Sequence, residues 1–275
     1  MGWRSSLEIC DPATGETRVV LQSDRLIEAP NWHPGGWFLV NGAGRLWRAD
    51  GQGLQPIDTG GLDRCNNDHG FLPDGRIVFS CHDDRGAGIH VLDADGPRAL
   101  PLPRPSWWHG AQGGRIAYAC ARGGDRVVRI GVMDMATGVE RVLTRGAAHH
   151  DGPDFSACGR FLWFNSDATG HAQIWRMGVD GSEAAPVFRD ANVNWFPHPS
   201  PDGRHVLYLA YPPGTEGHPR DLDVSLWIMD TAGGNRRKLF DLFGGQGTIN
   251  VPCWAPDGRH FAFMRYAPET GTPIS

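Results

Sequence analysis

A turn rich in proline, aspartate and glycine recurs six times along this sequence, each time between two apolar runs. Proline fixes its own φ, aspartate bonds to the backbone just ahead of it, and glycine accepts the positive φ that closes a tight hairpin. The copies, some of them degraded, are roughly forty to fifty-five residues apart, which is the spacing of propeller blades. They are Pro34-Gly35-Gly36, Pro73-Asp74-Gly75, Gly113-Gly114, Ala157-Cys158-Gly159, Pro201-Asp202-Gly203 and Pro256-Asp257-Gly258.

The runs that follow these turns are apolar on both faces, as in His205-Val206-Leu207-Tyr208-Leu209 and His260-Phe261-Ala262-Phe263-Met264. Such runs are typical of sheets packed between neighbouring sheets rather than against water. A second set of hairpins alternates with the first, for example at Ile89-His90-Val91-Leu92-Asp93. Six hairpins of each kind predict an all-β fold, a six-bladed β-propeller with four-stranded blades.

The hairpins at the two ends of the chain predict how the ring closes. The chain begins with a hairpin of the second kind, residues 7 to 21, and finishes with one of the first kind, residues 251 to 266. The last blade is therefore predicted to be built by both termini, which removes exposed strand edges. Since the repeat occupies nearly all of the sequence, residues 1 to 275 are predicted to form a single domain.

Three segments carry a resemblance to a known family. They are Trp254-Ala255-Pro256-Asp257-Gly258-Arg259, Pro201-Asp202-Gly203-Arg204, and Ile228-Met229-Asp230 followed by Gly233-Gly234-Asn235. These segments resemble the WD40-like PD repeats of TolB-like six-bladed propellers, and the resemblance covers essentially the whole chain. It implies a stand-alone propeller and no particular activity, because TolB-like propellers include scaffolds, sensors and enzyme modules.

Charge and hydropathy narrow the choice of partner. The formal net charge of −5 argues against a general affinity for nucleic acid. No stretch reaches the length of a transmembrane segment, and Met1 leads to the strand expected at Leu7 without a hydrophobic leader. We therefore expect a cytoplasmic protein with neither a nucleic-acid nor a membrane partner.

Topology predicts which face of the disc carries function. If the proline-glycine turns and the glycine turns of the second hairpins lie on one face, the opposite face carries the connections between blades and the middle connection within each blade. These connections surround the mouth of the central channel. We call this opposite face the second face. Eight of the twelve histidines fall in its connections, namely His69, His82, His109, His149, His150, His171, His198 and His218.

The register of the repeat places four polar side chains near the axis. His69 and His109 stand two residues before the tryptophan position of adjacent repeats, and Asp154 and His198 stand one residue before it in the next two. Because side chains alternate along a strand, the second pair can point differently from the first. All four are predicted to rim one central funnel.

Aromatic and polar neighbours complete a candidate ligand site. The predicted ligand-binding residues are Asn67, Trp108, Asp154, Trp195, His198, Arg220, Gln246 and Asn250. Aromatic faces beside carboxylates, amides and imidazoles suit a small polar, carbohydrate-like molecule, and aromatic residues equally suit a protein partner. The connection from Tyr211 to Asp223 is expected to fold over the mouth as a lid or wall.

Each of these residues also has a structural interpretation. The histidines can hydrogen-bond across the channel mouth, and the tryptophans can pack at blade junctions. Arg220 can bind the carboxylate of a ligand through two parallel hydrogen bonds. Alternatively, it can form an ion pair with Asp221 or Asp223 that only stiffens the connection.

Two functions remain open from the sequence. The signatures of serine acyl transfer, of Walker-type nucleotide binding and of zincin proteases are missing. One function is a binding module for a small polar ligand or a partner peptide at the funnel. The alternative is a divalent-metal-assisted carbohydrate lyase or hydrolase that uses the funnel histidines.

The alternative has a short resemblance behind it. His150-Asp151-Gly152-Pro153 and His198-Pro199 resemble pieces of the oligogalacturonate lyase propellers, in which histidines and a glutamine hold a divalent ion. This resemblance implies one Mn, Zn or Ca ion at His150, His198 and Gln246, with His69 or His109 as the catalytic base. A histidine base suits neutral pH because its ordinary pKa is near 6.5.

Overall fold

The computed structural model describes residues 3–268, and within this range it contains 23 strands and one helix of four residues. No helix in the described range is long and apolar enough to cross a bilayer. Blade 1 contains β1 (Trp3–Cys10), β2 (Thr17–Ser23) and, from the far end of the chain, β23 (Phe261–Pro268). Blade 2 contains β3 (Glu28–Trp32), β4 (Phe38–Gly42), β5 (Arg45–Asp50) and β6 (Gly53–Pro56).

The next four blades follow in chain order. Blade 3 contains β7 (Cys65–Phe71), β8 (Ile77–Asp83), β9 (Gly86–Asp93) and β10 (Gly96–Ala99). Blade 4 contains β11 (Ser106–Gln112), β12 (Arg115–Ala121), β13 (Val128–Asp134) and β14 (Glu140–Val142). Blade 5 contains β15 (His150–Phe155), β16 (Phe161–Ser166), β17 (Gln173–Gly178) and β18 (Ala185–Pro186). Blade 6 contains β19 (Val193–Pro199), β20 (His205–Tyr211), β21 (Leu222–Asp230) and β22 (Arg237–Gly244), after which comes helix α1 (Gln246–Ile249).

Each of blades 2 to 6 is a four-stranded antiparallel sheet whose strands follow one another in chain order. The first strands of these blades, β3, β7, β11, β15 and β19, contact one another in sequence around the axis. Blade 1 has the order β2-β1-β23, and a bridge between Trp254 and Phe261 joins its innermost segment to β23. The predicted six-bladed propeller is confirmed.

The two ends of the described chain close the ring within blade 1. β1 and β23 pair in antiparallel register over eight residue pairs, from Trp3 with Pro268 to Cys10 with Phe261. Leu7 and its partner Met264 are fully buried in the core of this blade. The predicted closure of one blade by both ends of the chain is confirmed.

The recurring turns owe their shape to the predicted chemistry. Gly75, Gly203 and Gly258 have φ values of 86°, 73° and 70°. In the same turns the Asp74, Asp202 and Asp257 carboxylates each accept the backbone N–H two residues ahead, at 3.0 to 3.1 Å. These turns are local devices, so they recur wherever the chain must reverse between a first and a second strand.

The apolar core lies between neighbouring blades. Val78 and Ile89 of blade 3 pack with Trp108 and Ile116 of blade 4, and all four are buried. The predicted burial of the strands on both faces follows from this arrangement, because each blade is covered by a blade on either side.

Candidate functional site

His69 lies on β7 at the axis and is 0 % exposed. Its Nδ1 is 2.7 Å from Asn31 Oδ1, and its Nε2 is 3.0 Å from Asn41 Oδ1. Burial lowers the pKa of His69 to about 3, so the ring is neutral at pH 7. A general base works best with a pKa near the operating pH, so these contacts favour the structural interpretation of His69 over the catalytic one.

His109 lies on β11, and its pKa shifts in the opposite direction from that of His69. Its Nε2 is 3.2 Å from Asp151 Oδ1 and 3.9 Å from Asp68 Oδ1. Burial alone would lower the pKa of His109, but the hydrogen bond to Asp151 and the charges of Asp68, Asp151 and Asp154 outweigh it and raise that pKa. The contact with Asp151 therefore favours the protonated ring of His109, which is the wrong direction for a general base.

Asp68 joins two of the predicted ligand-binding residues to the same axial network. Asn250 Nδ2 donates to Asp68 Oδ1 at 2.8 Å and to the Asn67 carbonyl at 3.3 Å, while Asn66 Nδ2 donates to Asp68 Oδ2. Burial raises the pKa of Asp68. Asn67 and Asn250 are brought together as predicted, but both are buried and their amides are bonded within the protein.

His198 lies on β19 and uses both ring nitrogens within the protein. Its Nδ1 is 3.0 Å from Asp154 Oδ2, and its Nε2 is 2.6 Å from the carbonyl oxygen of Ile249. Trp254 Nε1 donates to the His198 carbonyl at 2.9 Å, which ties β19 to the innermost segment of blade 1. Burial raises the pKa of Asp154. The contacts of His198 thus join β15, β19 and helix α1 at the axis.

The residues implied for a metal ion do not fit one. Neither nitrogen of His198 is free, and the ring of His150 lies edge-on to Phe164 with a centroid distance of 5.8 Å. The backbone N–H of Gln246 donates to the Pro219 carbonyl at 3.2 Å, at the start of α1. Within residues 3–268, no three His, Cys, Asp or Glu side chains are grouped so as to hold a metal ion. We therefore derive no chemistry through a metal.

Trp108 and Arg220 have the contacts that their structural interpretations predict. Trp108 is 1 % exposed, and its ring lies so close to Gly70 that a Cβ there would collide with it. The Arg220 guanidinium donates two hydrogen bonds of 2.8 Å to the carboxylate of Asp221. Trp108 thus packs at the junction of blades 3 and 4, and Arg220 is paired within its own connection.

The connection of residues 211–223 forms a fixed wall on the second face. Tyr211 Oη and the backbone N–H of Gln246 both donate to the Pro219 carbonyl, at 3.1 and 3.2 Å. Gly245 has a φ of 132°, and a Cβ there would collide with the carbonyl oxygens of Pro219 and Arg220. The connection is therefore held against the segment that leads into α1.

A cleft of about 440 Å³ opens beside this wall, displaced from the axis toward blades 5 and 6. We call it the second-face cleft. It is lined by Val128, His149, Asp151, Asn165, Asp167, Gly170, His171, Ala172, Val193, Trp195, Thr215, Glu216, Gly217 and His218. Of the residues predicted for the site, Trp195 lines the cleft, whereas His69, His109, Asp154 and His198 are buried behind it. This cleft thus lies off the axis, to one side of the four residues predicted to rim the central funnel.

Asp151 connects the axial network to the second-face cleft. Its Oδ1 contacts His109, and its Oδ2 is 3.9 Å from Nε2 of His218, a residue of the wall. Burial would raise the pKa of Asp151, but the hydrogen bond from His109 and the charges of His109 and His218 lower it to about 2. The cleft therefore contains a carboxylate that is ionised at neutral pH.

Other groups of the cleft keep hydrogen-bonding capacity toward the open space. His149 Nδ1 accepts the Val128 N–H at 3.2 Å, so the ring proton lies on Nε2. Asp167 Oδ1 accepts the His149 N–H at 2.8 Å, and His171 Nε2 donates to the Asp190 carbonyl at 3.0 Å. In the described part of the chain, His149 Nε2, Asp167 Oδ2 and His171 Nδ1 have no hydrogen-bond partner.

Sequence reasoning missed a set of polar residues that joins the blades. Asn41, Ser80 and Asn165 lie at the same position of their second strands, opposite Leu46, Ile89 and Ile174. Asn41 donates to Asn67 at 2.7 Å, and the backbone N–H groups of Trp108 and Phe196 donate to Ser80 and Asn165 at 2.8 and 3.3 Å. The available signal was a polar residue at one repeated place within otherwise apolar runs.

Sheet order and ring closure define a six-bladed β-propeller. No protein-family model matches the sequence. An uncharacterised protein of Agrobacterium fabrum is 46 % identical over 276 residues, which cover 96 % of this chain and 93 % of that relative. A solved structure from Agrobacterium tumefaciens, described as a TolB candidate, matches with a TM-score of 0.93 and 45 % identity over 98 % of this chain and all of the other. The chain belongs to the TolB-like family of six-bladed propellers.

More distant structures share the fold alone. TolB from Acinetobacter baumannii matches with a TM-score of 0.64 and 17 % identity, over 98 % of this chain and 67 % of that one. An oligogalacturonate lyase in complex with manganese matches with a TM-score of 0.56 and 15 % identity, over 94 % of this chain and 77 % of the lyase.

Proposed function

We propose that this propeller is a binding module that takes a small polar, carbohydrate-like ligand, or a peptide of a protein partner, into the second-face cleft. One observation carries the proposal. The cleft is an open space of about 440 Å³ in which an aromatic ring lies among polar groups with unused hydrogen-bonding capacity. Ligand sites commonly have this size, with a few placed polar groups around an apolar surface.

Trp195 supplies the aromatic surface. It is partly exposed in the cleft, and the ring of His218 lies edge-on to it with a centroid distance of 4.4 Å. A tryptophan face can cover the C–H surface of a sugar ring while the neighbouring polar groups bond its hydroxyls. Trp108, the other tryptophan predicted to bind ligand, is buried, so its ring has no exposed face for a ligand.

The alternative, a metal-assisted lyase or hydrolase, has no comparable support. The ring nitrogens of His69 and His198 are engaged by the protein, and Nε2 of His109 is 3.2 Å from the Asp151 carboxylate, which favours the protonated ring. A proton-abstracting base requires an accessible, unprotonated nitrogen near the substrate. The axial histidines are better suited to joining blades.

The proposal is tested by replacing Trp195 with alanine. Thermal shift is measured with sets of mono- and oligosaccharides and peptides, since a ligand that binds the folded state raises the melting temperature. We expect at least one compound to stabilise the native protein and to bind Trp195→Ala roughly fivefold more weakly, because a stacked ring contributes about 1 kcal/mol.

Trp37→Ala is the matched control. Trp37 is also partly buried against a histidine ring, with a centroid distance of 4.4 Å to His33, but it follows the first proline-glycine turn on the opposite face. This variant is expected to bind as the native protein does. Equal binding by Trp195→Ala, or no stabilising compound in either set, would contradict the proposal.

A further inference from the structure

The charges that line the second-face cleft are of one sign. Asp151, Asp167 and Glu216 contribute carboxylates, and in the described part of the chain no lysine or arginine lines the cleft. Clefts lined by one sign of charge focus their field on the space inside and concentrate ligands of the opposite sign. The uneven lining therefore bears on which ligand can enter.

Two guanidinium groups that adjoin the lining in sequence, those of Arg220 and Arg129, are paired with carboxylates outside the cleft. Arg220, the residue predicted to bind a ligand carboxylate, is bonded by two hydrogen bonds to Asp221. Arg129 donates to Asp125 at 2.5 and 3.0 Å and to the Gly146 carbonyl at 3.3 Å. Of the three carboxylates that line the cleft, that of Asp151 faces His109, whose Nε2 is 3.2 Å away. Among the described residues, neither Asp167 nor Glu216 has an ion-pair partner, so both carboxylates can meet a charged group of a ligand.

The cleft has unused acceptors at Asp167, His171 and Glu216, beside an unused donor at His149 Nε2. Asp167 Oδ2 has no partner within the described residues, and His171 Nδ1 accepts when Nε2 donates to the Asp190 carbonyl. Glu216 is exposed, and its carboxylate makes no hydrogen bond within the same part of the chain. A carboxylate only accepts hydrogen bonds, so a ligand that fits these atoms must bring donors. Ammonium and hydroxyl groups are such donors.

Trp195 favours the same kind of ligand. A cation over a tryptophan face is attracted by the ring quadrupole, which strengthens binding by a few-fold or more. Trp195 lines the same cleft as Asp151, Asp167 and Glu216, so an ammonium group that enters this space meets both an aromatic ring and carboxylates. The ring of Trp195 and the carboxylates would then attract the same ammonium group.

Building on the proposed function, we infer that the second-face cleft selects an organic cation, a small hydroxylated molecule that carries an ammonium group, of the amino-sugar class. Its ammonium group would lie between Trp195 and the carboxylates of Asp167 and Glu216, with its hydroxyls on the remaining acceptors. An acidic sugar would meet like charge in this space and would be rejected.

Three sugars that share the same ring and carry a positive, no or a negative charge test this inference. Binding of glucosamine, glucose and glucuronate to the native protein is measured by calorimetry at low and at physiological salt. Glucosamine is expected to bind tightest and to weaken as salt is added, because salt screens charge attraction. Glucose is expected to bind more weakly with little dependence on salt, and glucuronate weakest.

A charge-neutral variant of the cleft isolates the carboxylates. Asp167→Asn keeps an oxygen for the His149 N–H, and Glu216→Gln alters an exposed side chain. In the double variant we expect glucosamine affinity to fall by about threefold to tenfold, with glucose affinity unchanged. Glu16→Gln removes an exposed carboxylate far from the lining and is expected to change neither.

The outcomes separate this inference from the function on which it rests. If glucose or glucuronate binds as tightly as glucosamine and the binding depends on Trp195, the inference is overturned and the binding module stands. An unchanged glucosamine affinity in the double variant overturns the inference in the same way. If no sugar binds up to its solubility and no other compound depends on Trp195, both are overturned.

Discussion

The pKa values of two buried histidines at the axis shift in opposite directions because their neighbours differ. His69 faces the amides of Asn31 and Asn41, whereas His109 faces the carboxylates of Asp68 and Asp151. Burial by itself favours the neutral ring in both residues. Whether a carboxylate lies within a few ångströms therefore decides the direction in which the pKa of each ring shifts.

The neutrality of His69 predicts a loss of stability in acid. Its pKa is about 3 in the folded state, against an ordinary value of 6.5, so unfolding takes up a proton between these values. The stabilisation from this residue is complete above pH 6.5 and is lost as the pH falls toward 3. We expect about 3 kcal/mol of unfolding free energy to be lost from this group between about pH 6.5 and pH 4.

Urea denaturation of the native protein and of His69→Gln, at several pH values, measures this effect. Glutamine keeps hydrogen-bonding atoms for the two asparagines but does not titrate. The variant is expected to be less stable near pH 7 and to lose less stability on acidification. Parallel pH profiles for the two proteins would show that His69 is not the group responsible.

At the scale of elements, the connection of residues 211–223 has two parts, one that lines the cleft and one that packs against the segment before α1. Its residues Thr215 to His218 line the second-face cleft. Its residues Pro219 and Arg220 lie against Gly245, ahead of α1. The position of the cleft wall therefore depends on a close backbone contact outside the cleft.

Gly245→Ala is expected to displace this wall. A Cβ at Gly245 would collide with two carbonyl oxygens, and its φ of 132° is unfavourable for any other residue. We expect a loss of about 3 kcal/mol in unfolding free energy and weaker binding in the cleft. Chemical denaturation and ligand titration measure the two effects.

Gly214→Ala in the same connection is the control for this prediction. Gly214 has a φ of 82°, and a Cβ at this position would have no atom within 4 Å, so alanine meets strain there without collision. A cost of about 1 kcal/mol with unchanged binding is expected. Equal effects of the two substitutions would show that backbone strain, and not the contact at Gly245, is what matters.

The sequence was sufficient for the ring and for the wall, because turn chemistry and strand periodicity are local properties. It was insufficient for the site because the first strands contain irregularities. The register of β15 shifts between Asp151 and Asp154, and that of β19 shifts between Trp195 and His198. Gly152 and Phe196 have φ values of 59° and 55° at these shifts. Simple alternation along a strand does not include such bulges.

These bulges explain the positions of the predicted residues in the structure. Asp151 and Trp195, before the shifts, line the cleft, whereas Asp154 and His198, after them, bond each other at the axis. Counting residues from the tryptophan position placed all of them around one funnel. The extra residue in each strand re-aims the side chains, and so divides them between an axial network and an off-axis cleft.

At the scale of the whole molecule, the ring depends on one pair of strands from opposite ends of the described chain. β1 and β23 pair along their full lengths, and Arg265 Nε donates to Glu8 Oε1 at 3.1 Å across the pair. Phe261 and Phe263 of β23 are fully buried in a core shared with blade 6. Opening this pair would therefore expose core on both sides of blade 1.

Hydrogen exchange followed by mass spectrometry or NMR tests this dependence. We expect the amides of β1 and β23 to exchange as slowly as those of β8 inside blade 3, because both require opening of the ring. The short outer strands β14 and β18 provide an internal control and are expected to exchange fast. Rapid exchange confined to β1 and β23 would show that the closing pair frays independently.

The pairing of β1 with β23 also sets an order of events during translation. β1 emerges from the ribosome about 250 residues before its partner is made. At about 5 to 20 residues per second, that delay lasts roughly 12 to 50 seconds. Throughout this interval one side of β1 has no native neighbour, so a nascent chain of this kind should engage chaperones through its earliest strand.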